Sequence, residues 1–332
     1  MRKLATIRKI DELNPIEGAD AIECAVVGGW KVVVKKGEYN VGDLAVYCEI
    51  DSWIPTELAP FLSKGKEPRE FEGIKGERLR TIKLRGQLSQ GLLLPYATVG
   101  RIAMEDEDVT EALNIIKWEK PMNAQLAGVC KGNFPSLIPK TDQERVQNLK
   151  KEIAAAQDMF FEVTEKMEGS SMTCYLIDGV FGVCSRNMDL KETEGNSFWA
   201  TARREGIEEK MREEFGLADF AIQGELIGPG IQNNIYKLTQ PEFLIFDIYD
   251  IRRGTYVDPH TRHGMVVDMG LDHVPLITNG FVLKGHDIES LLTLAEGTSR
   301  IANTEREGIV FKQVDGGMTF KAISNKYLLG EK

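Results

Sequence analysis

The sequence predicts an α+β protein in two parts, a small N-terminal β-barrel and a larger domain of antiparallel sheets flanked by helices. Three observations carry this. The 332 residues are about twice a common domain length, so two cores are expected. The first hundred residues alternate apolar and polar positions between Gly-rich turns with few helical periods, the pattern of a small barrel or sandwich. Beyond residue 140, helical stripes and strand-like runs are mixed. The composition, 42% hydrophobic, 28% charged and 8% aromatic, excludes a chain dominated by disorder, a collagen or a membrane bundle.

The elements follow in order. AIECAVVGGWKVVVKK (21–36) gives two apolar runs broken at Gly28-Gly29, and Gly37 to Asn40 supply turn chemistry before VGDLAVYCEI. RLRTIKLRGQLSQGLLLP then alternates clearly. Between Phe61 and Gly86 the charge reverses: Lys64, Lys66, Arg69, Lys75, Arg78, Arg80, Lys83 and Arg85 face only four glutamates. Two readings stay open, a solvated loop and a phosphate-tracking surface of the kind that OB-type barrels offer. The barrel is assigned residues 1–118. Pro121, Gly128, Gly132, Pro135 and Pro139 then mark 119–140 as a linker, with the second domain spanning 141–332.

TDQERVQNLKKEIAAA reads as a helix, with Thr141 and Glu144 as a capping box and Val146, Leu149 and Ile153 on one face. Strand-like runs follow (MFFEVTEKM, SSMTCYLIDGVFGVCSRN), then a helix with a core stripe of Ile207, Met211 and Phe215. FAIQGELI, EFLIFDIYD, EGIVFKQV and GMTFKAIS are further strands.

The net charge of −10 speaks against a nucleic-acid partner only on an averaged view, since binding depends on the local field. Cys24, Cys48, Cys130, Cys174 and Cys184 form no CxxC pair and read as free thiols of a reducing cytoplasm. The charged start MRKLATIRKIDELNPIEG is no secretory signal, and no run nears the ~20 apolar residues of a membrane span. An intracellular, soluble protein is expected. His260 and His263 form HxxH in a loop with Asp258, without the further ligands that zinc needs. GELIGPGIQNN is turn chemistry, because no GK[ST] follows.

Lys166-Met167-Glu168-Gly169 is a weak signal alone, but it is followed in order by SRN (185–187), GEL (224–226), FLIFD (243–247), EGIVFK (307–312) and FKAIS (320–324). This series resembles the covalent nucleotidyltransferase superfamily of ATP-dependent ligases and capping enzymes, over nearly all of residues 134–332. FPSLIPKTDQERVQNL ahead of the lysine, with the β-rich module preceding it, resembles the type-five RNA ligases, which carry an N-terminal OB domain. The resemblance implies an ATP-dependent RNA ligase with Mg²⁺ or Mn²⁺. It would join a 3′-OH RNA end to a 5′-phosphate, at nicks in duplexes, through lysyl-AMP and RNA-adenylate.

By resemblance, Lys166 is the nucleophile. Chemistry agrees: attack on phosphorus needs a neutral amine, and lysine, unlike arginine, loses its proton readily when buried. Glu168, Glu225 and Glu307 are the metal carboxylates, acting directly or through water, and Glu168 is a one-methylene departure from the common KxDG. Arg145, Glu165, Arg186, Asn187, Glu225, Phe243, Glu307, Lys321 and Lys326 are implied at the nucleotide. Phe243 is expected to stack on adenine and Phe246 to be core. Ile323 stands where a second lysine of the last motif can occur, with Lys326 or Lys312 as substitutes. A monomer is expected. The competing readings are a DNA ligase or a GTP-using capping enzyme of the same superfamily, and a catalytically silent nucleic-acid-binding protein.

Overall fold

The computed structural model describes residues 2–119 and 130–330; the linker expectation for 120–129 lies outside them. The described residues form two compact units, 2–119 with 146–152, and 130–145 with 153–330.

The first unit is built of short antiparallel strands. In chain order they are β1 (Ala5–Lys9), β2 (Glu12–Pro15), β3 (Ile22–Val27), β4 (Trp30–Lys35), β5 (Leu44–Cys48), β6 (Ser52–Pro55), β7 (Arg69–Phe71), β8 (Ile74–Arg78), β9 (Thr81–Leu84), β10 (Gln87–Gln90), β11 (Leu92–Pro95) and β12 (Ile116–Lys117). They pair as β1-β5-β11, β2-β3-β4, β12-β6-β8-β7 and β9-β10. The β3–β4 hairpin turns where the sequence breaks: Gly28 takes φ +60 and Val27 pairs with Trp30, a conformation glycine adopts without strain. Ile7, Val46, Ile54, Leu94, Val109 and Ile115 are among the residues sealing the core.

The second unit holds β13 (Cys130–Asn133), β14 (Glu144–Arg145), β15 (Phe160–Lys166), β16 (Ser170–Ile177), β17 (Val180–Cys184), β18 (Met188–Leu190), β19 (Phe220–Ile227), β20 (Glu242–Asp250), β21 (Thr255–Tyr256), β22 (Asp272–His273), β23 (Leu276–Val282), β24 (Gly308–Gln313) and β25 (Thr319–Ile323). One sheet runs β13-β18-β17-β16-β19-β20-β21, with β22 beside β20; the other runs β14-β25-β24-β15-β23. The helices are α1 (Lys150–Ala155), α2 (Ser197–Arg204), α3 (Ile207–Phe215), α4 (Pro259–Asp268), α5 (Ile288–Ala295) and α6 (Asn325–Leu329). Ile207, Met211 and Phe215 of α3 are buried, as their spacing predicts, against Met172, Ile222 and Ile245 of the larger sheet.

Three expectations are corrected. TDQERVQNLKKEIAAA is not one helix: Thr141–Gln143 have no regular structure, Glu144–Arg145 form β14 parallel to β25, and α1 begins only at Lys150. Backbone pairing with a distant strand overrides the local capping pattern, and Glu144 Oε1 accepts instead from the Arg145 N–H at 2.8 Å. The linker is not irregular throughout, because Cys130–Asn133 pair with β18. HxxH lies on a helix, α4, whose N-cap is Asp258, its carboxylate accepting from the Thr261 N–H. Among the described residues no helix is long and apolar enough to cross a membrane.

Candidate active site

The site begins at the end of β15, where Lys166 pairs with Gly308 of β24. The chain then crosses from the five-stranded to the eight-stranded sheet within Met167-Glu168-Gly169 and enters β16. That crossing explains the glycine of KxxG: a Cβ on Gly169 would lie 2.4 Å from the Leu226 carbonyl oxygen and 2.8 Å from Glu225 Cγ. Met167 anchors the crossing in a small apolar cluster with Ile227, Tyr236, Leu244 and Val274.

Around the lysine stand three carboxylates. Lys166 Nζ is 2.7 Å from Glu307 Oε1, with the two side chains 24% and 18% exposed. Glu168 is buried; its Oε1 accepts from Asn233 Nδ2 at 2.9 Å and from the Asn233 N–H at 3.3 Å, and its backbone N–H donates to Tyr236 Oη at 2.7 Å. Its Oε2 is buried with no hydrogen-bond partner. Burial pushes the Glu168 carboxyl above its ordinary value, and Glu307 adds to the rise. Glu225, half-buried on β19, is pushed up to about 8, by burial first; Lys166 opposes the rise and Glu307 adds to it. Crowded carboxylates around a single ammonium, with one orphaned oxygen, form an oxygen donor set of the kind that suits a hard divalent cation. The three do not form a tight cage: among the described residues the one trio with ligand atoms all within 4.8 Å is Glu162, His263 and His273.

A group of cations is built from both sheets. Arg145 of β14 pairs with Lys321 of β25, and both are buried. Arg186, in the turn between β17 and β18, donates from Nη2 to Asp142 Oδ2 at 2.6 Å, and Lys321 Nζ is 3.6 Å from Asp142 Oδ1. Asn187 accepts from Lys140 Nζ at 2.8 Å.

The structure thus assembles Arg145, Lys166, Glu168, Arg186, Asn187, Glu225, Glu307 and Lys321, and it moves three other expected residues. Phe243 is 1% exposed inside the core with Met172 and Ile245 and offers no face to a base. Alternation puts Phe246 on the face opposite Phe243, and a β-bulge in the β19–β20 pairing, where Gln223 opposes Asp247 and Gly224 opposes Ile245, turns Asp247 to that face as well. Phe246 is therefore the half-buried aromatic beside the site, with Lys312 Nζ 5.3 Å from its ring centre. Glu165 alternates with Lys166 along β15 and projects to the opposite face, where Oε2 accepts from the Arg300 N–H at 2.8 Å. Lys326 opens α6 and reaches Glu296 at 3.0 Å. Lys312 is committed too: buried, it is 2.8 Å from Asp247 Oδ1.

Sequence reasoning missed Asn233, Tyr236 and Asp142. Asn233 lies in the stretch read as turns and Tyr236 two residues past its end, and they orient Glu168; no residue spacing announces that.

A barrel of short antiparallel strands followed by a two-sheet domain, with a KxxG lysine among carboxylates and cations at the crossing, defines the class of nucleotidyl-transferring ligases. The RNA ligase family model matches residues 159–327, and an OB-fold domain model matches residues 4–96. No curated protein matches. Among solved structures, an aspartate-to-alanine mutant of Naegleria gruberi RNA ligase is 47% identical, with TM-score 0.92, covering 98% of this chain and 97% of its own. The same ligase with PPi is 47% identical, with TM-score 0.91 and coverage of 99% and 98%. A lysine-to-alanine mutant of it, with ATP and Mn, is 46% identical, with TM-score 0.91 and coverage of 98% of both chains. The chain belongs to the RNA ligase family, in the branch with an OB-fold domain ahead of the ligase domain.

Proposed function

We propose that this ligase uses ATP and a divalent cation to join a 3′-OH RNA end to a 5′-phosphate at duplex nicks, through lysyl-AMP and RNA-adenylate. The observation that carries it is Lys166, held 2.7 Å from Glu307 at the meeting point of two sheets, with Arg145, Arg186 and Lys321 beside it. The lysine donates to Glu307 Oε1, which is placed to take the Nζ proton as the amine attacks the α-phosphorus. The Nζ–P bond forms and the bond to pyrophosphate breaks. AMP then passes to the RNA 5′-phosphate, and the 3′-OH displaces it. Arg145, Arg186 and Lys321 neutralise charge on the phosphates, and Phe246, not Phe243, stacks on adenine. Glu168, Glu225 and Glu307 would hold the cation, which supplies charge neutralisation at the transferring phosphate. ATP and Mn in the related Naegleria ligase structures support this reading. A monomer is the state proposed.

RNA is assigned to the barrel's basic surface, in a narrower form than the eight cations suggest. Arg69 is paired with Glu77, Lys75 with Glu67, and Arg78 with Asp51, and Arg78 also stacks 3.7 Å over Trp118. On and beside the β9–β10 hairpin, Arg80, Lys83 and Arg85 are exposed, and residues 78–104 contain no Asp or Glu. Lys64 and Lys66 are exposed as well.

Sealing assays on nicked RNA, DNA and mixed duplexes, with ATP or GTP, test the reading. ATP-dependent sealing of an RNA 3′-OH end that Lys166→Ala abolishes is expected; sealing with GTP alone, or of DNA ends alone, would overturn it. Replacing Arg80, Lys83 and Arg85 with Ala should flatten the salt dependence of nick binding by roughly one unit of log–log slope per lost phosphate contact, and spare lysine adenylylation.

A further inference from the structure

Asp142 stands between two cations that the proposed reading gives to phosphate. Its segment, 139–143, has no regular structure and is fastened to the eight-stranded sheet at two points. Gln223 Nε2 donates to the Pro139 carbonyl at 2.9 Å, and Lys140 Nζ donates to Asn187 Oδ1 at 2.8 Å. The Asp142 carboxylate divides its oxygens: Oδ2 takes Arg186 Nη2 at 2.6 Å, and Oδ1 faces Lys321 Nζ at 3.6 Å. Arg186 belongs to one sheet and Lys321 to the other, so this single anion bridges them. An anion sharing two oxygens between a guanidinium and an ammonium makes the contacts that a phosphate group makes.

We propose that Asp142 is an internal stand-in for phosphate, which holds Arg186 and Lys321 together until nucleotide arrives and thereby sets the enzyme's affinity for ATP and pyrophosphate. This rests on the reading that both cations meet phosphate. Two features let it yield. The Arg186 and Asp142 side chains are 44% and 39% exposed, and ion pairs of that exposure are weak, so a polyanion with several charges displaces the carboxylate. A cavity of about 430 Å³, lined by Lys140, Thr141, Asp142 and Gln143 among others, gives the side chain room to swing aside. Bound phosphate and Asp142 then repel as like charges, which also favours release of pyrophosphate and of AMP.

The test compares the full-length protein with Asp142→Asn and Asp142→Glu, using inorganic pyrophosphate as the titrant in calorimetry and single-turnover adenylylation as the second readout. Asp142→Asn should bind pyrophosphate about three- to tenfold tighter, the range that loss of a weak ion pair allows. The ATP concentration for half-maximal labelling should fall by the same factor, with the limiting rate unchanged. Asp142→Glu should stay close to the native protein. Unchanged or weaker binding by Asp142→Asn, or equal tightening by Asp142→Glu, would overturn the proposal. Asp142→Ser, with thermal unfolding as a check, repeats the comparison should Asn disturb the segment. Native protein that binds pyrophosphate yet forms no adduct would refute the ligase reading instead, whereas adduct formation without tightening refutes only the stand-in.

Discussion

Two lysines face the space between the same pair of sheets from opposite ends of the β15–β24 pairing, and they have opposite fates. Lys166 pairs across from Gly308, and Lys312 across from Glu162. Lys312 is 6% exposed and fully engaged: it is 2.8 Å from Asp247 and donates to the Phe246 carbonyl at 2.5 Å. Arg262 then joins Asp247 at 3.5 Å, pairs with Glu162 and donates to His273 Nε2 at 3.2 Å, while His263 meets Glu162 at 2.6 Å. Lys166 keeps a quarter of its surface, one carboxylate partner, and neighbours with an orphaned oxygen. Buried charge that is completely paired is a strut; charge left partly unsatisfied where solvent enters is chemistry in waiting. The Glu162–His263–His273 trio falls on the strut side, because Arg262 already occupies Glu162 and His273.

The difference can be broken from either end. Lys166→Ala should reduce lysine adenylylation below detection while changing unfolding free energy by no more than about 1 kcal/mol, read by labelled ATP and by denaturant titration. Lys312→Met should do the reverse, costing about 3–5 kcal/mol by leaving Asp247 and Glu162 short of a cation in a buried site. Its folded fraction should still be labelled, at a higher ATP requirement because Phe246 loses its support. Equal destabilisation by the two substitutions would erase the distinction.

A pH titration sharpens it. Burial, with Arg262 and His263 nearby, holds His273 down at about 3, against an unfolded value near 6.5. The unfolded chain therefore binds the proton first, and stability falls as pH drops from about 6.5 toward 3, by up to about 1.4 kcal/mol per pH unit. Glu162 adds in the same direction further down: burial raises its carboxyl, but Arg262, His263 and Lys312 outweigh that and hold it below its ordinary value. Unfolding free energies at several pH values should show the slope, and His273→Gln should reduce it; an identical slope in the variant would contradict the network. A smaller effect is expected at Glu168. Removing its charge in Glu168→Gln, while keeping the Asn233 contact, should raise the Mn²⁺ concentration for half-maximal adenylylation about tenfold, and chelation should stop the native reaction.

The lysine end of this comparison was legible in the sequence and the strut end was not. KMEG, GEL and EGIVFK are local, because a close crossing demands glycine beside the residues that do chemistry. Strand alternation likewise revealed β19, β20, β24 and β25. The strut joins Glu162, Asp247, Arg262, His273 and Lys312, which only tertiary packing brings together. Phe243 and Phe246 exchanged roles because alternation says only that they face opposite ways, whereas tertiary packing decides that the Phe243 face is core. TDQER looked helical because its capping pattern is local, whereas its parallel pairing with β25 is not. Glu165 followed its neighbour into the expected site, though alternation, which the sequence does contain, sends it to the other face.

On the proposed reading the partly exposed Lys166, not the buried Lys312, carries the nucleotide. Incubating the 332-residue chain with ATP and Mn²⁺, then mapping the adduct by peptide mass spectrometry, tests it most directly. One AMP on the peptide containing Lys166, absent from Lys166→Ala, is the result predicted. AMP on Lys312 or any other residue, or no covalent AMP from protein that binds ATP, would contradict it.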